Sequence, residues 1–273
     1  MTKHIDLPVP IEARLARISQ LTIEELPDRK EAMQLWARTR ADHGFSHTPT
    51  KIISIEQDSK TSKNPERTGI IYLTPHTRSG FQLCPWATPG CAEACLYTAG
   101  HGRFAEVQRA RLARTNFLYK YPAHFFRIVV EELIRSDLRW LRMNGTSDIR
   151  WERGLPQGFE DLLSAHNTRM YDYTKASPGR LHWLLNYRTK LDYTLIYSVS
   201  ERDTDFEVIH RANTYGYAAV VSHDTPSEWL GITTTPADYH DLWWLDRDKP
   251  LIGILRPKGR ALTDTSGFVR SLR

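Results

Sequence analysis

Tyr193-Thr-Leu-Ile-Tyr-Ser-Val199 and Tyr217-Ala-Ala-Val-Val221 flank the segment that decides the fold. Each is a short apolar run rich in β-branched or aromatic residues, as strands require. Between them, Asp205 to Tyr215 reads as a helix. Strand, helix and strand in succession make a βαβ unit with its two strands parallel.

The rhythm extends in both directions. Upstream, Gly69 to Leu73, Leu138 to Met143 and Arg169 to Tyr173 read as strands. Downstream, Leu251 to Leu255 reads as a sixth. Helices are expected at Ala105 to Tyr119, Ala123 to Ile134, 158–166 and Leu181 to Leu185, with Pro122 breaking the first from the second. The expected fold is therefore α/β, a six-stranded, mostly parallel (β/α) partial barrel over 68–273. Residues 1–50 read as an N-terminal helical appendage, with helical spacing at Ile11 to Gln20 and Ile23 to Arg40. Leu15, Ile18, Leu35 and Trp36 are its candidate buried positions. Residues 51–67 are a polar connection, and 57–67 contain no apolar anchor.

Bulk properties narrow the classes. The chain has 273 residues, 40% of them apolar and 25% charged, which is ordinary for a globular fold. No apolar stretch reaches the roughly 20 residues of a membrane span. The start, Met1-Thr-Lys-His-Ile-Asp6, lacks a signal core, so a cytoplasmic location is expected. The net charge of +5 fits a nucleic acid or another anionic partner, although no long basic block is present. A merely basic, solvated surface reads the same way.

All three cysteines lie in Cys84-Pro-Trp-Ala-Thr-Pro-Gly-Cys91-Ala-Glu-Ala-Cys95. An odd number of thiols cannot close into a disulfide set. Clustered thiolates suit zinc or an iron–sulfur cluster. Pro85, Pro89 and Gly90 stiffen the loop. Three readings stand: a cluster with an open position, a zinc site completed by His76 or His101, and unmetallated thiols.

Ligands of α/β sheets bind beyond the carboxyl ends of the strands. Polar groups gather at those positions here: Asn144, Gly145, Thr146, Ser147 and Asp148 after the second strand, Asp172 to Lys175 at the third, Ser200 and Glu201 at the fourth, His223-Asp224 at the fifth, and Arg256 and Lys258 at the sixth. Gly145 permits close backbone approach. Asp148 reads equally as a helix cap. His223 and Asp224 are adjacent on a strand and point to opposite faces. Arg256 and Lys258 are expected to meet an anionic group.

The run from Leu83 to Phe104 resembles a family of phage- and plasmid-borne proteins of unassigned function, the gene product 88-like family. Asn144 to Glu152, Tyr171 to Lys175 and Gly259 to Arg270 resemble its later blocks. More distantly, a three-cysteine loop after a first β/α strand resembles the radical S-adenosylmethionine superfamily, although its usual spacing is C-x3-C-x2-C. That resemblance implies a [4Fe–4S] cluster on Cys84, Cys91 and Cys95, with S-adenosylmethionine on the fourth iron. Gly145 and Asp148 would then hold the cofactor's polar end, and Asn144, Thr146, Ser147, Asp172, Lys175, Ser200 and Glu201 would line the pocket. The expectation from another class is a zinc-stabilised nucleic-acid-binding protein without catalysis.

Overall fold

The computed structural model describes residues 10–56 and 60–272. Two helices come first, α1 (Ile11–Ile18) and α2 (Arg29–Asp42). Then follow β1 (Ile53–Ile55), β2 (Thr68–Ile71), a short α3 (Pro89–Glu93), α4 (Ala105–Lys120), α5 (Pro122–Ile134) and β3 (Trp140–Arg142). Next come α6 (Phe159–Ala165), β4 (Arg169–Thr174), α7 (Gly179–Tyr187), β5 (Tyr193–Ser198), α8 (Asp205–Tyr215) and β6 (Tyr217–Ser222). The chain closes with β7 (Glu228–Trp229), β8 (Ile232–Pro236), β9 (Leu251–Leu255) and β10 (Val269–Arg270).

The sheet runs β1-β2-β3-β4-β5-β6-β9-β8-β7, with β10 beside β6. All six expected strands are present, but the count was short. The described residues form ten strands, and the sheet is open rather than closing into a barrel. Pairing is parallel throughout except at the two margins, β1 with β2 and β7 with β8. From β2 to β6 each strand lies beside its predecessor in the chain. Right-handed crossovers taken in one direction put their helices on one face.

Side-chain alternation matches this. Leu141, Met170, Leu195, Tyr197, Ala218 and Val220 share a core with the helical Phe117, Phe125, Phe126 and Val208. The intervening Trp140, Tyr171, Ile196, Tyr217 and Ala219 face the other way. There they pack on Leu242, Trp243 and Trp244 from the 237–245 segment.

The N-terminal helices belong to this body. Ile11, Leu15, Ile18 and Trp36 are buried in the same core as α4 and α5, while Leu35 is only half-buried. Helix α2 starts later than its apolar spacing implies because Pro27-Asp28 intervenes. The Asp28 carboxylate accepts from the amides of Lys30 and Glu31 and so fixes the start. The expected 51–67 connection contains β1 and a short 3-10 turn at Thr61–Lys63. Gln57 to Ser59 and the first nine residues lie outside the described residues. No described helix is long and apolar enough to cross a membrane.

One irregularity shapes the rim. Strand β6 pairs with β5 only at Ala218 and Ala219. Farther along, at Val221 and Ser222, it pairs with β10 instead. The sheet thus splits between β5 and β6 at its carboxyl end, and the 264–272 segment fills the split.

Candidate functional site

The loop after β2 brings the three cysteines to this rim. Thr88 caps α3 by accepting the Cys91 amide, and Pro89 sits in its first turn, where a missing N–H costs nothing. The His76 amide donates to Cys84 Sγ at 3.2 Å. The Asp148 amide donates to the Leu83 carbonyl at 2.8 Å, tying the loop to the turn after β3. Cys84 Sγ lies 3.8 Å from the Thr146 carbonyl oxygen.

The thiols are close enough to feel one another. The charge of Cys91 and of Cys95 acts on Cys84, and that of Cys95 acts on Cys91. Burial is the main influence on all three and raises each pKa, so without a cation they stay protonated. No group of three or more His, Cys, Asp or Glu side chains among the described residues gathers tightly enough to hold one metal ion. The Nδ1 of His76 lies 3.3 Å from the Thr77 hydroxyl, and the His101 ring packs against Phe104.

The rim loops converge on this cluster. Glu201 accepts from the Thr88 hydroxyl at 2.7 Å and from the Gly90 amide at 2.9 Å. A side chain at position 90 would collide with Ser266 and Glu201, which is why α3 approaches so closely. Lys175 donates to the Ser198 hydroxyl at 2.7 Å, and its ammonium lies over the Phe268 ring. Its charge also reaches Cys91 and favours the thiolate there. Phe268 and Val269 pack with Ala94 and Cys91, forming the wall opposite the cysteine loop.

Other expected pocket residues face inward and serve as framework. Asn144 Oδ1 accepts from Ser147, from the Ile149 amide and from Trp151, and its Nδ2 donates to Asp172 and to the Ile149 carbonyl. Thr146 donates to the Leu73 carbonyl, and Ser200 donates to Asp203. Asp148 pairs with Arg180 at 2.9 Å and accepts the Lys175 amide. Burial raises the Asp148 pKa, against the pull of Arg180. Arg256 and Lys258 do not reach this centre. They are exposed and engage Asp238 and the His223 carbonyl.

Asp172 is fully buried and accepts from the Asn144 amide, from Asn144 Nδ2 and from the Tyr193 hydroxyl. Burial outweighs these bonds and pushes its pKa up to about 7. The folded state therefore keeps a proton that the unfolded chain releases near pH ~4. The stability this group contributes is fully present below that pH and is lost as pH rises toward 7, by as much as ~4 kcal/mol. Burial also pushes Glu132 up to about 7, so it adds a slope of the same sign. Urea midpoints should fall between pH 4 and 7, and Asp172→Asn should flatten part of that fall. Midpoints that climb across the window in the wild type contradict the assignment.

Sequence reading missed several neighbours of the thiols. Arg111 and Arg78 lie on the ring of Tyr97, and the charges of both arginines reach Cys95. Arg111 belongs to a helix that also carries Arg109 and Arg114, which in sequence looks like a solvated face. Arg180, buried beneath Asp148, had no signal and lies just ahead of the helix expected at Leu181 to Leu185, which in the structure starts at Gly179.

An open, singly wound parallel sheet with three coupled thiols at its carboxyl rim defines a class of cysteine-bearing α/β protein. Residues 48–272 match the family described as gene product 88, and the chain belongs to that family. The match takes in the whole sheet, the cysteine loop and the segment that fills the split. No curated protein and no solved structure matches the chain.

Proposed function

We propose that Cys84, Cys91 and Cys95 hold a [4Fe–4S] cluster at the sheet rim, with one iron left open to S-adenosylmethionine. The observation that carries this reading is that one loop holds all three thiols at the ligand-binding end of a parallel sheet, with Cys84 against the turn after β3 and Cys91 against the Phe268 and Val269 wall. A multi-iron core is wider than one ion, so its ligands need not meet at a single point as zinc ligands must. Buried thiols ionise only beside positive charge, which iron supplies and Lys175 and Arg111 reinforce. Glu201 holds α3 in position through Thr88 and Gly90. Phe268 and Val269 limit water at Cys91.

Gly145 and Asp148, assigned by resemblance to the cofactor, are engaged in packing and in the Arg180 pair. The charges of Lys175, Arg78 and Arg111 also reach the thiols and suit the carboxylate of a cofactor at this mouth. The reading thus rests on the chemistry of the site, not on a superfamily match.

Anaerobically purified protein should be brown, absorb broadly near about 400 nm and contain about four iron and four sulfide per chain. Cys84→Ser, Cys91→Ser and Cys95→Ser should each lose most of that absorbance. S-adenosylmethionine should perturb the electron paramagnetic resonance spectrum of the reduced cluster. An unchanged spectrum removes the cofactor from the proposal. Colourless protein with about one zinc per chain replaces the proposal with a structural zinc site on a nucleic-acid-binding protein.

A further inference from the structure

We infer that Arg111, seconded by Arg78 across the ring of Tyr97, is the receptor for an oxyanion, a carboxylate or phosphate carried by whatever molecule occupies the thiol-lined mouth. The inference concerns the same mouth as the cluster reading but does not need a cluster to be present.

Arg111 is 8% exposed, yet its Nε and Nη1 have no hydrogen-bond partner. Its guanidinium lies 5.1 Å from the Tyr72 ring centroid and 5.9 Å from that of Tyr97. Arg78, which is exposed, lies over the same Tyr97 ring at 5.0 Å. The charges that reach Arg111 come from Tyr72, Tyr97 and Cys95, and no carboxylate is among them.

Other buried guanidiniums in this chain are treated differently. Arg180 is matched by Asp148 and Glu152, and Arg142 by Asp241. Even Arg114, one turn beyond Arg111 on α4, has the charge of Glu132. An unmatched buried cation is costly, and the Tyr72 and Tyr97 ring faces offset only part of that cost. Burial accordingly lowers the proton affinity of Arg111.

The open Arg111 nitrogens await an external acceptor. A planar guanidinium held between aromatic faces suits carboxylate and phosphate oxygens. Arg78 at the surface gives such an anion a first contact, and Arg111 gives it a desolvated second one.

The test titrates inorganic phosphate, pyrophosphate and acetate, each against chloride, into anaerobic wild type, Arg111→Met, Arg111→Lys and Arg78→Ala, with calorimetric and melting readouts. One of the oxyanions should bind saturably and raise the wild-type melting temperature. Arg111→Met should weaken that binding about tenfold or more, the factor carried by a hydrogen bond to a charged group. Arg111→Lys should retain part of it, and Arg78→Ala should lose less.

In anion-free buffer Arg111→Met should melt no lower than wild type, because it removes an unmatched charge. Preference for phosphate points to a nucleotide-like ligand, and preference for acetate to an amino-acid-like carboxylate. Binding unaltered by both Arg111 variants, wild-type binding no tighter than that of chloride, or a lower anion-free melting point for Arg111→Met overturns the inference. Failure of Arg111→Met to fold is the extreme of that last outcome and likewise overturns the inference, while the Arg111→Lys and Arg78→Ala titrations test the binding on folded protein. The absorbance near 400 nm, read on the same samples, reports the cluster separately, so either reading can fail alone.

Discussion

Arg180→Met should lower stability by roughly 3–5 kcal/mol, the cost of removing one partner from a buried ion pair. The Arg180 side chain is 1% exposed and Glu152 is fully buried. The guanidinium donates to Glu152 at 3.0 and 3.1 Å, to Asp148 at 2.9 Å, to the Thr174 hydroxyl and to the Ile149 carbonyl. Methionine fills much of the volume and satisfies none of these acceptors. The two carboxylates then lose their shared counter-charge, and what remains is Arg150 beside Glu152 and the charge of Lys175 on Asp148. A loss of that size is a large part of an ordinary domain's stability. Urea unfolding at pH 7 measures it. Glu152→Gln placed on top of Arg180→Met should restore part of the loss. A single variant within about 0.5 kcal/mol of wild type would mean the pairs contribute little.

Gly145→Ala should cost roughly 2–3 kcal/mol by overpacking. A Cβ there would lie 2.6 Å from both Ile70 Cγ2 and Tyr72 Cδ1, and 2.8 Å from the Ile71 carbonyl oxygen. The last contact is backbone and cannot rotate away. The same carbonyl accepts the Gly145 amide at 3.0 Å, so the turn cannot retreat without losing a bond to β2. Because the next residues hold Leu83 and approach Cys84, the damage should spread to the cysteine loop. The variant should therefore lose stability and, with it, the absorbance near about 400 nm expected of the proposed cluster. Unchanged stability with weakened S-adenosylmethionine binding would return Gly145 to the cofactor role.

The six expected strands were legible because each lies in a stretch of five or more mostly apolar or β-branched residues between turn signals. Strands β1, β7 and β10 were not, since two or three residues establish no period. Strand β8, Ile-Thr-Thr-Thr-Pro, is polar enough to pass for a loop. The open sheet was not legible either, because closure depends on the partners of the marginal strands, and these margins are antiparallel hairpin-like pairs.

At the site, clustering alone found the cysteines, and position after a strand found Lys175 and Glu201. The same rule also selected Asn144, Asp172 and Ser200. Position along a strand does not say which way a polar group turns. Asp172 turns inward because Tyr193, 21 residues later, arrives beside it with a hydroxyl at 2.5 Å. Arg111 escaped notice because its isolation is a property of what does not surround it.

The strand that fills the split between β5 and β6 also sets a clock. Val269 leaves the ribosome roughly 170 residues after Cys95, which at ordinary synthesis rates is on the order of 10–30 s. During that interval the thiol loop lacks the wall formed by Phe268 and Val269, and the Arg270 guanidinium has not yet reached the Ser200 and Asp203 carbonyls. Nascent chains thus present Cys91 without its wall to oxidants and adventitious metals until the β10 segment arrives.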